Sequence, residues 1–133
     1  MSLLVDTSVW SLAFRRDVPS DGAHVQVLRF ALERGESVVC TGLVLQELLQ
    51  GFAGAKARDG LLEHFSALPF ISPDRSDYIE AAELRNHCRR NGVQLGTIDA
   101  LIAQLCIRHD LTLLSTDADF LHAARFCPLR VWG

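Results

Sequence analysis

Lysine is nearly missing from this chain: of 13 basic residues only Lys56 is lysine, and the other 12 are arginine. Against 16 acidic side chains this leaves a formal net charge of −3, so no global basic field draws polyanions to the surface. Arginine's planar fork suits bidentate contact with phosphate or carboxylate, although the base composition of a genome enriches arginine as well. Long apolar runs are missing too. The stretches 38–40 and 43–45 are interrupted by Thr41, Gly42 and Gln46, which excludes a membrane-spanning helix. No basic leader precedes Leu3, Leu4 and Val5, and Asp6 breaks that run, so a signal peptide is not expected. The four cysteines, Cys40, Cys88, Cys106 and Cys127, form no C-x-x-C pair. Reduced, mostly buried thiols of a cytoplasmic protein are expected, not a disulfide framework. Repeats, low-complexity segments and linkers are also lacking.

What is present suits one domain spanning residues 1–133, long enough to bury roughly two-thirds of the surface the unfolded chain exposes. The hydrophobic fraction of 49% and mean hydropathy of +0.17 run somewhat high, as fits apolar surface covered by a partner or a second copy.

Residues 3–5 read as a strand that ends in Asp6-Thr7-Ser8, a polar triplet suited to capping a helix over 9–14. Asp21 opens a second helix with Val25, Leu28 and Leu32 in helical period, stopped at Gly35. Residues 37–40 form a strand rich in β-branched side chains, and Thr41 caps the helix that follows, through Leu49. A helix over 56–65 and a short strand over 69–72 come next. Residues 74–90 give the longest helical pattern, with Tyr78, Ala81, Ala82 and Leu84 as its apolar stripe and Gly92 ending it. Thr97 is expected to cap an amphipathic helix whose one face holds Ile98, Leu101, Ile102, Leu105 and Cys106. A strand over 111–114, a short helix over 117–124 and a strand over 129–132 complete the chain. Strands alternate with helices from end to end, which predicts an α/β sandwich: a mainly parallel sheet between two layers of helices.

In such open sheets ligands bind beyond the carboxyl ends of the strands. Asp6 and Asp117 stand there, directly after apolar runs. Asp99 lies in the first turn of a helix that reaches the same edge if it runs antiparallel to its neighbouring strands. Glu47 rides on the helix after the second strand, with Leu43, Gly51 and Gly54 at helical spacing; the glycines leave room for close approach or mark fraying. Each acid also has a plain structural role open to it. Asp6 and Asp117 suit helix caps, Asp99 complements a helix dipole, and Glu47 suits a solvated face beside Gln46 and Gln50.

Gathered together, such carboxylates repel one another, and their pKa values rise unless a cation neutralises them. Hard divalent ions with oxygen ligands, Mg²⁺ or Mn²⁺, fit that donor set. Zinc prefers histidine or cysteine, and the adjacent pair His87-Cys88 lacks ligand spacing.

Four segments, in this order, carry a family resemblance: Leu4-Val5-Asp6-Thr7-Ser8-Val9-Trp10, Gln46-Glu47-Leu48-Leu49-Gln50-Gly51, Asp99-Ala100-Leu101-Ile102-Ala103, and Leu113-Leu114-Ser115-Thr116-Asp117-Ala118-Asp119-Phe120. In order and spacing the chain resembles the PIN-domain ribonucleases, and most closely the VapC-type toxins of bacterial toxin–antitoxin pairs. The likeness covers nearly the whole chain. It implies a three-layer PIN-like sandwich in which Asp6, Glu47, Asp99 and Asp117 are the catalytic, metal-binding acids. Asp119 matches a further acid that serves as a ligand in only some members, while Ser8 and Thr116 match supporting polar positions.

The activity implied is endonucleolytic RNA cleavage by metal-activated water, leaving a 5'-phosphate and a 3'-hydroxyl. Acidic sites do not hold RNA unaided, so basic residues are expected around the cleft. Arg85, Arg89 and Arg90 form the densest cationic run, unless they pair with Glu80 and Glu83 along a solvated helix; Arg15 and Arg16 are the other candidates. The resemblance also implies a homodimer and a cognate antitoxin whose tail fills the groove and offers arginine or lysine to the acids. A haloacid dehalogenase needs a second acid two residues after its first, where this chain has Ser8. A response-regulator receiver needs an acidic pair and a late lysine, and Lys56 is the only lysine. The rival from another class is a catalytically silent PIN scaffold that binds RNA or protein.

Overall fold

The computed structural model describes residues 1–14, 22–51 and 54–133. Five strands, β1 (Leu3–Val5), β2 (Val38–Thr41), β3 (Phe70–Ile71), β4 (Thr112–Leu114) and β5 (Arg130–Val131), make one sheet in the order β3-β2-β1-β4-β5. Every pairing is parallel, with Leu3 opposite Val38 on one side of β1 and Thr112 on the other. All three residues of β1 and all four of β2 are buried. Such unbroken burial is what a parallel sheet covered on both faces demands, and it explains why these strands read as continuous apolar runs rather than alternating ones.

The helices are α1 (Thr7–Ala13), α2 (Ala23–Glu33), α3 (Gly42–Gly51), α4 (Ala55–Ser66), α5 (Arg75–Arg90), α6 (Thr97–Arg108) and α7 (Ala118–Ala123). Helix α1 packs against α2 and α3, and α5 lies along α6. The result is the α/β/α sandwich with a parallel centre that the alternation of elements predicts. Thr41 is both the last residue of β2 and the cap of α3, its Oγ1 accepting the backbone N–H of Leu43 at 3.0 Å. Gly35, at φ +69°, ends α2 as expected.

Three local expectations need correction. The first helix starts at Thr7, not Val9, because the carbonyl of Asp6 already accepts the N–H groups of Val9 and Trp10. Gly96, not Thr97, is the cap of α6, and Thr97 is its first helical residue. Gly54 does not continue α3, which ends at Gly51: at φ +93° it precedes α4, and a Cβ at either glycine would meet no described atom of this chain within 4 Å, so no other described segment closes on them.

The apolar stripe of α5 also differs. Tyr78 is 57% exposed and Ala82 is exposed, whereas Asp77, Ala81 and Cys88 are buried. The choice of face is made by α6, which runs antiparallel to α5. Arg108 of α6 reaches Asp77 and Asp74, Gln104 donates to Glu80, and Arg85 of α5 donates to the carbonyl of Leu95 just before α6. Helix α6 is itself buried on most sides, from Ala100 through Cys106, although Ile98 is 43% exposed. It turns directly into β4, with the N–H of Leu111 donating to the carbonyl of Cys106. That tight return puts the start of α6, and Asp99, at the carboxyl ends of the strands.

Candidate active site

Asp6 leaves β1 in extended backbone (φ −71°, ψ 156°), and its N–H donates to the carbonyl of Leu114, continuing the β1–β4 ladder by one step. Its backbone caps α1, yet its side chain makes no capping bond. The carboxylate turns instead to two serines: Oδ2 accepts from Ser8 Oγ at 2.9 Å and from Ser115 Oγ at 2.8 Å. Each hydroxyl has one proton. With both protons spent on Asp6, the 3.4 Å contact between the two serines carries none. As acceptors, Ser115 Oγ takes the N–H of Asp117 at 3.1 Å and Ser8 Oγ takes the N–H of Thr116 at 3.1 Å. The two serines therefore stitch the end of β1 to the start of α7.

Asp117 caps α7, its Oδ1 accepting the N–H of Asp119 at 2.9 Å. Asp119 is exposed, as is Glu47 on α3, while Asp99 is half-buried in the first turn of α6. The Asp99 carboxyl is pushed up from its usual 3.8 to about 6, first by burial and then by the negative charges of Asp6, Asp117, Glu47 and Asp119. Acids from the ends of β1 and β4, from α3 and from α6 thus share one electrostatic neighbourhood. Beneath it lies Cys106, whose thiol is held protonated, pushed up to about 12 by burial and by the charge of Asp6.

This donor set consists of carboxylates with hydroxyl support, the oxygen chemistry of a hard divalent cation, and the one neighbouring sulfur is a thiol rather than a thiolate. The charge crowding at Asp99 is what such a cation would relieve. Among the described residues no group of three His, Cys, Asp or Glu side chains is arranged to hold a metal ion.

Of the supporting polar pair expected, Ser8 touches Asp6, while Thr116 is exposed and contributes its backbone N–H. The hydroxyl facing Asp6 from β4 belongs to Ser115, 4% exposed. Its role follows from register: Val5 stands opposite Leu114, so Asp6 stands opposite Ser115. The sequence does not disclose that pairing.

Arg85 is anchored to Leu95, Arg89 contacts Asn86 at 3.3 Å, and Arg90 is exposed at the end of α5. Among the described residues none of the three pairs with Glu80 or Glu83. Arg15 and Arg16 lie outside the described residues.

A parallel sandwich with acids gathered at its strand ends is the PIN-domain architecture, and the PIN domain family model matches residues 3–126. Ribonuclease VapC11 of Mycobacterium tuberculosis and VapC ribonuclease Mb1587 of Mycobacterium bovis are each 32% identical over 130 residues, 96% of this chain and 96% of theirs. The chain belongs to the PIN-domain family, among the VapC-type proteins. Solved structures agree on the fold. VapBC2 from Rickettsia felis, bound to a promoter DNA fragment, superposes with a TM-score of 0.77 at 21% identity over 99% of this chain and 98% of that one. FitAcB from Neisseria gonorrhoeae gives 0.74 at 22% identity, covering 98% and 96%.

Proposed function

We propose that this chain is the toxin of a type II toxin–antitoxin pair, an endoribonuclease that hydrolyses RNA phosphodiester bonds with a divalent cation held by Asp6, Glu47, Asp99 and Asp117, with Asp119 at the rim. The observation that carries the site is Asp99, half-buried in the first turn of α6, its carboxyl raised first by that burial and then by the charges of Asp6, Asp117, Glu47 and Asp119. Mg²⁺ or Mn²⁺ bound there would supply positive charge to the scissile phosphate and acidify an attacking water. The chain's own groups do the rest. Ser8 and Ser115 fix the rotamer of Asp6 by two hydrogen bonds to one oxygen. The α7 cap holds Asp117 through one of its oxygens. Asp99 or Glu47 would orient the attacking water.

Arg85, Arg89 and Arg90 serve as contacts for the RNA backbone on this reading. The VapC relatives support a cognate antitoxin as partner and the bacterial cytoplasm as location, with residues 1–133 acting as one domain. No helix among the described residues is long and apolar enough to cross a membrane. A groove of about 390 Å³ lined by Leu43, Tyr78, Ala82, Ile98 and Leu101 leaves apolar surface uncovered in the single chain. It is the surface that a homodimer or antitoxin would cover.

The test compares wild type, Asp6→Asn and Asp99→Asn on structured RNA in Mg²⁺, Mn²⁺ and EDTA. Wild type alone should cut, only with metal, and leave 5'-phosphate ends. Cleavage indifferent to EDTA or to both substitutions would overturn the metal site, and absence of cleavage by wild type in either metal would favour the silent scaffold.

A further inference from the structure

Away from the acidic site, two of the four cysteines stand near each other. Cys88, near the end of α5, has no exposed surface, and Cys127, in the segment between α7 and β5, lies close enough to add to the effect of burial in raising the Cys88 thiol. The neighbouring residues hold the two segments together: the His87 ring Nε2 is hydrogen-bonded to the carbonyl of Phe126 at 3.0 Å, and Cys127 Sγ donates to the carbonyl of Ala123 at 3.2 Å. Cys127 is only half-buried, and with His87, Leu84, Phe126 and Pro128 it lines an open cleft of about 510 Å³. Cys127 therefore borders the cleft while Cys88 is closed off from solvent, the order in which an attacked and a resolving thiol would stand. Cys40 and Cys106, both buried, offer no comparable access.

We propose that Cys88 and Cys127 form an oxidation site at which a peroxide converts the two thiols into an intramolecular disulfide joining the end of α5 to the α7–β5 segment. In the first step the Cys127 thiolate attacks one oxygen of hydrogen peroxide. The S–O bond forms, the O–O bond breaks, and hydroxide leaves and is protonated to water. In the second step the Cys88 thiolate attacks the sulfur of the Cys127 sulfenic acid, forming the S–S bond and expelling the oxygen as water. Two thiols and one peroxide give one disulfide and two waters, the two electrons passing from sulfur to oxygen. Burial raises the Cys88 thiol above its ordinary 9.0, so the second step quickens with rising pH. The cross-link encloses the stretch that carries Asp99 and Asp117, and closing that loop in the unfolded chain raises the melting temperature. None of this depends on the nuclease reading.

The full chain, treated with hydrogen peroxide at mildly alkaline pH, should lose two hydrogens by intact mass. It should give a Cys88–Cys127 linked peptide that dithiothreitol separates, and it should melt at a higher temperature than the reduced protein. Cys127→Ser should abolish the linkage. Cys88→Ser should leave a Cys127 sulfenic acid trapped by dimedone, and a Cys40→Ser/Cys106→Ser double variant should still form the bond. Linkage to other cysteines, hydrogen loss that persists in Cys127→Ser, or direct passage of Cys127 to sulfinic acid in wild type would overturn the proposal. So would a disulfide form that melts below the reduced protein, since the bond would then require a distorted chain.

Discussion

Asp99 holds its proton to about pH 6 in the folded chain without metal, against 3.8 for an ordinary aspartate. Between those values the folded state binds a proton that the unfolded state has released, so this group's contribution to stability is present below about pH 4 and is lost as pH rises through about 6. In EDTA, the melting temperature of wild type relative to Asp99→Asn should therefore fall between about pH 4 and pH 7. A flat difference would mean that neither burial nor the charges of the other acids raise Asp99. Ser115 makes a separate test. Ser115→Ala deletes the 2.8 Å bond to Asp6 and the acceptor for the Asp117 N–H. The loss should be about 1 kcal/mol of stability, with Mn²⁺ affinity weaker by about tenfold because Ser8 alone then holds Asp6. Melting and calorimetric titration read the two effects separately.

At the scale of elements, the α5–α6 pair shows how a helix face is chosen. The side chain of Asp77 is completely buried, one of its oxygens finds no partner, and the other accepts from the Asp74 N–H and from Arg108. Arg108→Ala would leave that charge with a single donor, at a cost of about 2 kcal/mol. A melting temperature lowered by several degrees would record it; an unchanged one would mean that solvent reaches Asp77 and that the pairing is incidental. Counting apolar residues at helical spacing points α5 inward through Tyr78 and Ala82, because hydropathy cannot anticipate an inward-facing Asp77 compensated from another helix. The capping box between Asp74 and Asp77, by contrast, is local, and the start of α5 was correspondingly legible.

For the whole molecule, a cation that binds only the folded arrangement couples the site to global stability. Mg²⁺ or Mn²⁺ at a hundredfold excess over its dissociation constant should stabilise wild type by about 2.7 kcal/mol. Asp6→Asn should abolish the shift, and a shift that survives this substitution would place the cation elsewhere. The same experiment on Phe120→Ala asks whether the core under α7 supports Asp117. Phe120 is fully buried, and its loss should cost about 3–5 kcal/mol.

The sequence by itself determined whatever depends on neighbours along the chain. The strands announced themselves as short apolar runs, the helices as periodic segments with caps, and the presence of one or two helices between every two strands pointed to a parallel sheet with helices on both faces. Asp6 and Asp117 were readable because each directly follows a strand, and strand ends are where such sheets bind ligands. Asp99 drew some support from its place in the first turn of a helix, whereas Glu47 rested chiefly on resemblance, since nothing local says which way a residue on a helix will face. The tertiary structure alone decided the strand order that sets β1 between β2 and β4, and with it the register that brings Ser115 to Asp6. It alone set α6 against α5 and put Cys88 beside Cys127. These are contacts between residues far apart in sequence, fixed by how whole elements pack, and no pattern of neighbouring residues encodes them.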